Sequence, residues 1–416
     1  MQKAYDIVVV GGGPAGMMAA IVAAEQGKRV AVLEKLSTAG VKLKATGGGR
    51  CNLTNTLETE LFMEKFGKQG RFMRRALTTF NQEDLRHFFD RIGVKSHAPD
   101  GFRVFPLTHS AATVTDALVS RMKELKIDLF ASTPVSSLYI VDGELQGVVS
   151  NKKEVFLAPN VIVATGGQGY PVLGAEGDGY HLAQEAGHTI TPLHPAMMPL
   201  HTKERWVERC RADTIPKVTL QVNMKKYKKM RATGDLIFTK QGIRGPVVLD
   251  FSREITPILA KYDEVPLLAN FTKGMNQEEI REDFKQKMAQ NPHQNVLSLV
   301  ETLLPHSLAK VICELAEIDL LLTFKKQKGV AREKLIALLA HTPLTVVGHE
   351  GFAKAMITRG GVSLKEIDPD TMQSKRVHGL FFCGEVVDLD GPCGGYNLQW
   401  SFSSGYLAGV SAATIG

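Results

Sequence analysis

Residues 11–16 read Gly11-Gly12-Gly13-Pro14-Ala15-Gly16, a G-x-G-x-x-G spacing set between an apolar run at 6–10 and an alanine-rich stretch at 17–25. Such a turn does its chemistry with main chain rather than side chains. Gly11 permits the tight turn, Gly13 lets a pyrophosphate approach the backbone, and Gly16 lets the next helix lie close to a sheet. The helix N-terminus then offers free N–H groups to the anion. Glu34 closes a second apolar run at 29–34, where a carboxylate can accept both hydroxyls of a ribose. Strand, helix and acid in this order point to a bound dinucleotide rather than an ordinary glycine turn. A glutamate at that place also argues against a 2′-phosphate, so FAD or NAD is expected and NADP is not.

The C-terminal segment separates the two. Residues 379–385 read as a buried strand ending in Gly384 and Glu385, with Asp388 just beyond. Gly394, Gly395, Tyr396 and Asn397 then open a small-residue helix over 398–413. FAD carries a ribityl chain and a tricyclic ring past its pyrophosphate. A second strand-turn with an acid for the ribityl hydroxyls suits it, as does a helix N-terminus aimed at the pyrimidine oxygen of the ring. A third strand-turn, 161–167, brings Thr165 and Gly166 beside the nucleotide. No second G-x-G-x-x-G occurs, so no separate NADPH domain is expected, and NAD(P)H can serve only as a transient electron donor.

The elements that must position these turns follow from periodicity. Residues 6–10 and 29–34 are short buried strands joined by a helix over 17–25, a βαβ unit that requires a parallel sheet with helices on its faces. Residues 36–55 are polar, hold Gly40, Gly47, Gly48 and Gly49, and show no helical or strand period; a long ordered loop is expected. Asn81 with Asp84 caps a helix through Arg91, and 111–125 is a further amphipathic helix. Short strands follow at 135–141, 145–150, 154–157 and 161–165, with a hairpin turn at Asp142-Gly143. From about 191 prolines punctuate β-like runs to about 271, and 276–341 is helical. The expected fold class is α/β: a Rossmann-like FAD-binding domain (1–190 and 346–416). It is interrupted by an insert (191–345) with a β-barrel-like part (191–271) and a helical part (272–345).

Composition bounds the function classes. With 416 residues, 44% apolar and 22% charged, the chain is neither disordered nor fibrous. Its longest apolar runs are far too short to span a membrane, and a start with an acid at Asp6 that runs on into glycines from Gly11 is not expected to be a signal peptide. Five cysteines without a CxxC pair or zinc spacing fit a reduced cytoplasmic protein with no metal site. Lys and Arg exceed Asp and Glu by a formal net charge of +7, which leaves nucleic acid open as a partner without demanding it.

Several motifs together resemble the BaiN/RdsA-type family of NAD(P)/FAD-dependent oxidoreductases, the aminoacetone-oxidase-like flavoproteins. They are the first glycine turn, the loop Ala45-Thr46-Gly47-Gly48-Gly49-Arg50-Cys51-Asn52-Leu53-Thr54-Asn55, Phe102-Arg103-Val104-Phe105-Pro106, Thr358-Arg359-Gly360-Gly361-Val362, Gly384-Glu385-Val386-Val387-Asp388 and Gly394-Gly395-Tyr396-Asn397. The resemblance covers the whole chain. It implies FAD contacts from Gly11, Gly13, Gly16, Glu34, Arg50, Asn52 and Asp388. Pro14, Ala15, Lys35, Gly49, Cys51, Val135, Thr165, Gly166, Gly384, Glu385, Gly395, Tyr396 and Asn397 complete the expected cofactor lining. For activity it implies hydride transfer from reduced flavin to an activated alkene. The alkene is either uridine in large-subunit ribosomal RNA, giving dihydrouridine, or a conjugated C=C bond in a small steroid-like molecule.

Reducing the uracil C5=C6 bond needs a hydride at C6 and a proton at C5 from a positioned acid. Cys51 is a candidate acid because the glycine loop should bring it near the ring; the alternative is a small apolar residue packed under that loop. Arg359 is a candidate for holding a substrate or flavin oxygen, against a plain surface arginine. His194, His201 and His349 lie scattered, without metal-ligand spacing, and are read as ordinary histidines, His201 being a weak candidate near the flavin. An RNA substrate would need a basic, partly aromatic surface. Lys225-Lys226-Tyr227-Lys228-Lys229-Met230-Arg231 supplies one within the insert, with further clusters at Lys325-Lys326-Gln327-Lys328 and at Arg71, Arg74 and Arg75. A solvated hairpin tip is the bland alternative. A small-molecule flavin reductase or oxidase, and a non-catalytic FAD-containing RNA-binding protein, are the rival classes.

Overall fold

A computed structural model describes residues 2–414. The chain forms two compact units, one made of the residues up to His194 with those from Ile357 onward, the other of Pro195–Met356.

The first unit is built on a five-stranded parallel sheet in the order Leu380–Phe382, Asn160–Val163, Ile7–Val10, Val30–Leu33, Asp128–Phe130. Its three central strands are buried along their whole length, as a parallel sheet covered on both faces requires. The first crossover helix, Pro14–Glu25, is buried almost all the way round. That explains why its sequence is alanine-rich rather than amphipathic. It is clasped by the C-terminal helix Tyr396–Thr414, whose Gly405 and Gly409 lie against the backbone of Ala15 and Ala19. A second sheet, Gln2–Ala4, Val155–Leu157, Glu144–Ser150 and Val135–Val141, carries the hairpin at Asp142-Gly143, where both turn residues have positive φ. The helix Gln82–Arg91 starts with the full capping box between Asn81 and Asp84.

Residues 36–55 are more regular than their composition suggests. After Gly40 they make a one-turn helix, Val41–Ala45, a 3-10 turn, Thr46–Gly49, and a two-residue strand, Thr54–Asn55, that pairs with Arg103–Pro106. Only Leu43 of the short helix is buried, so no period could emerge.

The second unit contains a closed six-stranded antiparallel barrel in the order Leu200–Thr202, Gly242–Arg244, Arg231–Phe238, Thr214–Val222, Val265–Asn270, Thr342–His349. The helices Gln277–Gln290, Val296–Glu301, His306–Leu315 and Gly329–Ala340 follow the fifth strand. Two expectations need correction. The insert does not end at 345, because that position lies inside the strand that closes the barrel. The part expected to be β-rich, 191–271, contains a 17-residue helix, Pro246–Tyr262, with Val247, Val248, Phe251, Ile255, Ile258 and Leu259 buried against the barrel strands. Its β-branched residues and Pro257 disguise a helical spacing of apolar positions.

Candidate cofactor site

Three adjacent parallel strands end in turns at the same edge of the sheet, the place where open α/β sheets bind ligands. Backbone bonds keep the turns in step: Ala164 N–H donates to Val10 (2.8 Å) and Cys383 N–H to Val163 (3.1 Å). At the first turn, a Cβ on Gly11 would lie 2.6 Å from the Ala164 carbonyl oxygen, and one on Gly16 would collide with the Gly11 carbonyl. Gly13, in contrast, faces open space, as a close approach by pyrophosphate requires. Glu34 accepts from Gly12 N–H and from Leu36 N–H, both at 2.8 Å, one on each carboxylate oxygen. Each oxygen keeps a lone pair for a ribose hydroxyl. Thr133 N–H donates to the Glu34 carbonyl (2.9 Å), which keeps the start of strand Val135–Val141 beside this end of the site.

The third turn is held by the C-terminal helix. Gly384 N–H donates to the Ser404 hydroxyl (2.9 Å), and the Trp400 indole N–H donates to the Gly384 carbonyl (3.1 Å). Glu385 is a strut: Lys42 Nζ donates to one oxygen (2.9 Å) and Thr358 N–H to the other (2.8 Å), while Gln168 N–H donates to the Thr358 hydroxyl (2.7 Å). One carboxylate thereby fixes the short helix, the strand Ile357–Arg359 and the second turn. Lys42 belongs to no motif, and only its contact with Glu385, 343 residues away in the sequence, gives it a role. Burial raises the Asp388 carboxyl above the ordinary aspartate range, aided by Asp390 and opposed by Gln69, Thr191 and Arg359. Arg359 Nη1 lies 4.0 Å from the buried Asp390 carboxylate.

The lining fits FAD. The Thr165 hydroxyl is buried at the mouth of the second turn with no partner among the described residues. Added Cβ atoms at Gly48, Gly49 and Gly166 would meet nothing within 4 Å, so the surrounding backbone is open to a ligand. Arg50 is exposed, its Nε donating to Gly47 (3.2 Å) and its guanidinium 5.3 Å from the Phe105 ring centroid, with its terminal amino groups available to an anion. The first turn of the helix Tyr396–Thr414 supplies further donors.

Other expected residues turn out to position the site rather than line it. Cys51 is fully buried beneath its loop with φ +58, and burial pushes its thiol up to about 12 despite a hydrogen bond with Thr46, the placement of a small residue packed under the loop. The Asn52 amide donates to Thr54 (2.9 Å) and Val104 (3.2 Å) carbonyls and accepts from Gly395 N–H (3.0 Å). Asn55, which the sequence did not single out, donates to the Gly394 carbonyl (2.9 Å) and completes this bolt between loop and helix start. Asn397 clamps Gly391 through both amide atoms, and Tyr396 packs against Phe62, Phe66 and Phe102. Lys35 Nζ is committed to Glu176 (2.5 Å) and Asp178 (2.6 Å). In the second unit, His201 and His349 are not scattered. Their strands pair, His201 Nε2 lies 3.0 Å from Glu350, and burial followed by the nearby His201 lowers the His349 pKa. Among the described residues no three His, Cys, Asp or Glu side chains gather as a metal site, and no helix is long and apolar enough to cross a membrane.

Fold and cradle together define an FAD-dependent oxidoreductase with a Rossmann-type domain. The chain belongs to the HI0933-like protein Rossmann domain family, whose profile matches residues 5–411. It is 32% identical over 412 residues to the 3-dehydro-bile acid delta(4,6)-reductase of Clostridium scindens, covering 98% of each chain. It is 28% identical over 417 residues to the ribosomal RNA dihydrouridine synthase of Haemophilus influenzae, covering 99% of each. Among solved structures, 3-ketosteroid delta1-dehydrogenase from Sterolibacterium denitrificans superposes with a TM-score of 0.55 at 12% identity, over 99% of this chain and 100% of that one. That likeness speaks to the fold alone.

Proposed function

We propose that this protein reduces an activated C=C bond, with uridine in large-subunit ribosomal RNA as substrate, NAD(P)H as the transient electron donor and the reducing cytoplasm as its setting. Bound FAD supplies the hydride for C6 of the uracil. The observation that carries the reading is the cradle itself: three strand-end turns and a helix N-terminus meet at one edge, with Arg359 beside them to hold a substrate carbonyl. The relative named for dihydrouridine synthesis, alike over nearly its whole length, supports the choice of substrate. Cys51 is fully buried beneath its loop, which favours another source for the proton at C5. Four buried free thiols, at Cys51, Cys210, Cys313 and Cys383, suit a reducing compartment.

A second reading has its own support in the 32% identical bile acid reductase, which favours a conjugated enone in a small molecule. Mass spectrometry of ribosomal RNA separates the two. Cells lacking the protein should lose a dihydrouridine that returns on complementation. An unaltered modification profile, with rapid anaerobic reoxidation of the NADPH-reduced protein by a steroid enone, assigns the second reading instead.

A further inference from the structure

The barrel hairpin formed by Thr214–Val222 and Arg231–Phe238 ends in a tip folded into one 3-10 turn, Lys225–Tyr227. The tip is not a loose loop. Val222 N–H donates to Met230 (3.0 Å), Met230 N–H to Tyr227 (2.8 Å) and the Gln221 amide to Lys228 (2.7 Å), while Asn223 N–H donates to Pro266 on the next strand (2.8 Å). This places the Tyr227 ring 6.2 Å from that of Tyr262, the last residue of helix Pro246–Tyr262, at an edge-to-face angle of 76°. Lys226 stands over the first ring and Lys261 over the second.

Lys225, Lys226, Lys228, Lys229 and Arg231 are all exposed, and none pairs with a carboxylate among the described residues; nor does Lys261. Elsewhere in the same unit cations do find acids: Lys203 with Glu264 (2.8 Å), Arg209 with Glu314 (2.6 Å), Arg281 with Glu333 (2.6 Å), Lys334 with Glu317 (2.6 Å). Together the cations of the tip and Lys261 leave a positive field around two aromatic rings that an external polyanion can meet. The Tyr262 pKa is lowered, first by a hydrogen bond with Tyr227 and, less, by Lys261 and Lys226, against the effect of burial. No large aliphatic side chain is exposed at the tip, so an inserting lipid surface is poorly served.

We propose that this tip and helix end form a single-stranded RNA surface, in which the Tyr227–Tyr262 pair stacks an unpaired base while the lysines around it hold the flanking phosphates. The inference rests on the ribosomal RNA reading for its biological partner, but its test does not depend on catalysis. Holoprotein is titrated with a fluorescent uridine-rich strand of about twelve nucleotides, its duplex, and vesicles of phosphatidylglycerol and phosphatidylcholine, at several salt concentrations. Replacing Lys225, Lys226, Lys228 and Lys229 by glutamine should weaken single-strand binding at least about tenfold and reduce the salt slope by about 2–3. Tyr262→Leu with Tyr227→Leu should cost about fivefold or more on the single strand, little on the duplex, and leave the slope unchanged. Flavin content and melting temperature of each variant serve as the folding control. No single-strand binding by the parent protein, an unchanged slope, equal losses on duplex, or losses seen only with vesicles would each overturn the proposal. Binding with these dependences but without any dihydrouridine in cells would retire the ribosomal RNA reading and leave the surface standing.

Discussion

The first glycine turn and the loop at 46–49 both belong to the cofactor cradle, yet they use glycine for opposite reasons. At Gly11 and Gly16 a side chain has no room, because the backbone of Ala164 and of Gly11 itself already occupies it. At Gly48 the space is empty, and what excludes other residues is the left-handed backbone at φ +66. The first turn is shaped by packing within the protein and would keep its form without a ligand. The second is shaped around an open face and needs something outside the protein to justify its conformation.

If that contrast is right, Gly16→Ala has the largest effect. The added methyl must push the helix Pro14–Glu25 off the sheet, and the purified variant should be colourless, with FAD affinity reduced by more than about a hundredfold. Absorbance of flavin against protein, with a circular dichroism spectrum to show retained secondary structure, measures this. A yellow Gly16→Ala protein would break the comparison at its firmer end.

Asn52→Ala comes next, because it cuts three hydrogen bonds that join the loop to the start of the C-terminal helix. About 2–3 kcal/mol of stability should be lost, with a matching drop in melting temperature and weaker flavin retention. Gly48→Ala should be milder. It meets no atom and costs only the left-handed backbone penalty, about 1–2 kcal/mol, so the protein stays coloured with FAD affinity down by roughly five- to thirtyfold. Fluorescence titration of apoprotein with FAD distinguishes that from no change and from total loss.

How much of this was legible in the sequence follows the same division. Gly11–Gly16, the strands beside them and the capping box at Asn81 depend on neighbours in the chain, so local pattern suffices to find them. The joining of both chain ends into one unit could be read from the return of glycine after a proline- and lysine-rich middle, whereas the closure of the barrel by Thr342–His349, on the far side of the helices, could not. Helix Pro246–Tyr262 escaped because its valines and isoleucines favour a strand locally and Pro257 reads as a helix breaker, while its i, i+4 burial is satisfied only against the barrel. Roles that depend on distant partners were not legible. Lys42 meets Glu385 across the fold, His201 pairs with Gly348 beside His349 on the neighbouring barrel strand, and Asn52 and Asn397 turn their amides to backbone.

Cys51 gives the smallest and sharpest test of the loop at 46–49, because its thiol is buried beneath it. Burial raises it from an ordinary value near 9 to about 12, so the folded protein holds this proton over a range in which the unfolded chain releases it. The folded state binds more protons there, and stability must therefore fall as pH rises through that interval, by about 1 kcal/mol at one unit above the ordinary value. Below it the contribution is fully present. Cys51→Ala removes this term along with a small volume of packing. The variant should melt slightly lower than the parent at neutral pH, by about 1 kcal/mol or less, and the gap should narrow or reverse between pH 9 and 12. Its activity against pH should superimpose on that of the parent, since a thiol with no route to solvent cannot donate to a substrate. A lost limb in that profile would mean the loop opens enough to expose Cys51, and would turn the open face from a fixed cradle into a moving one.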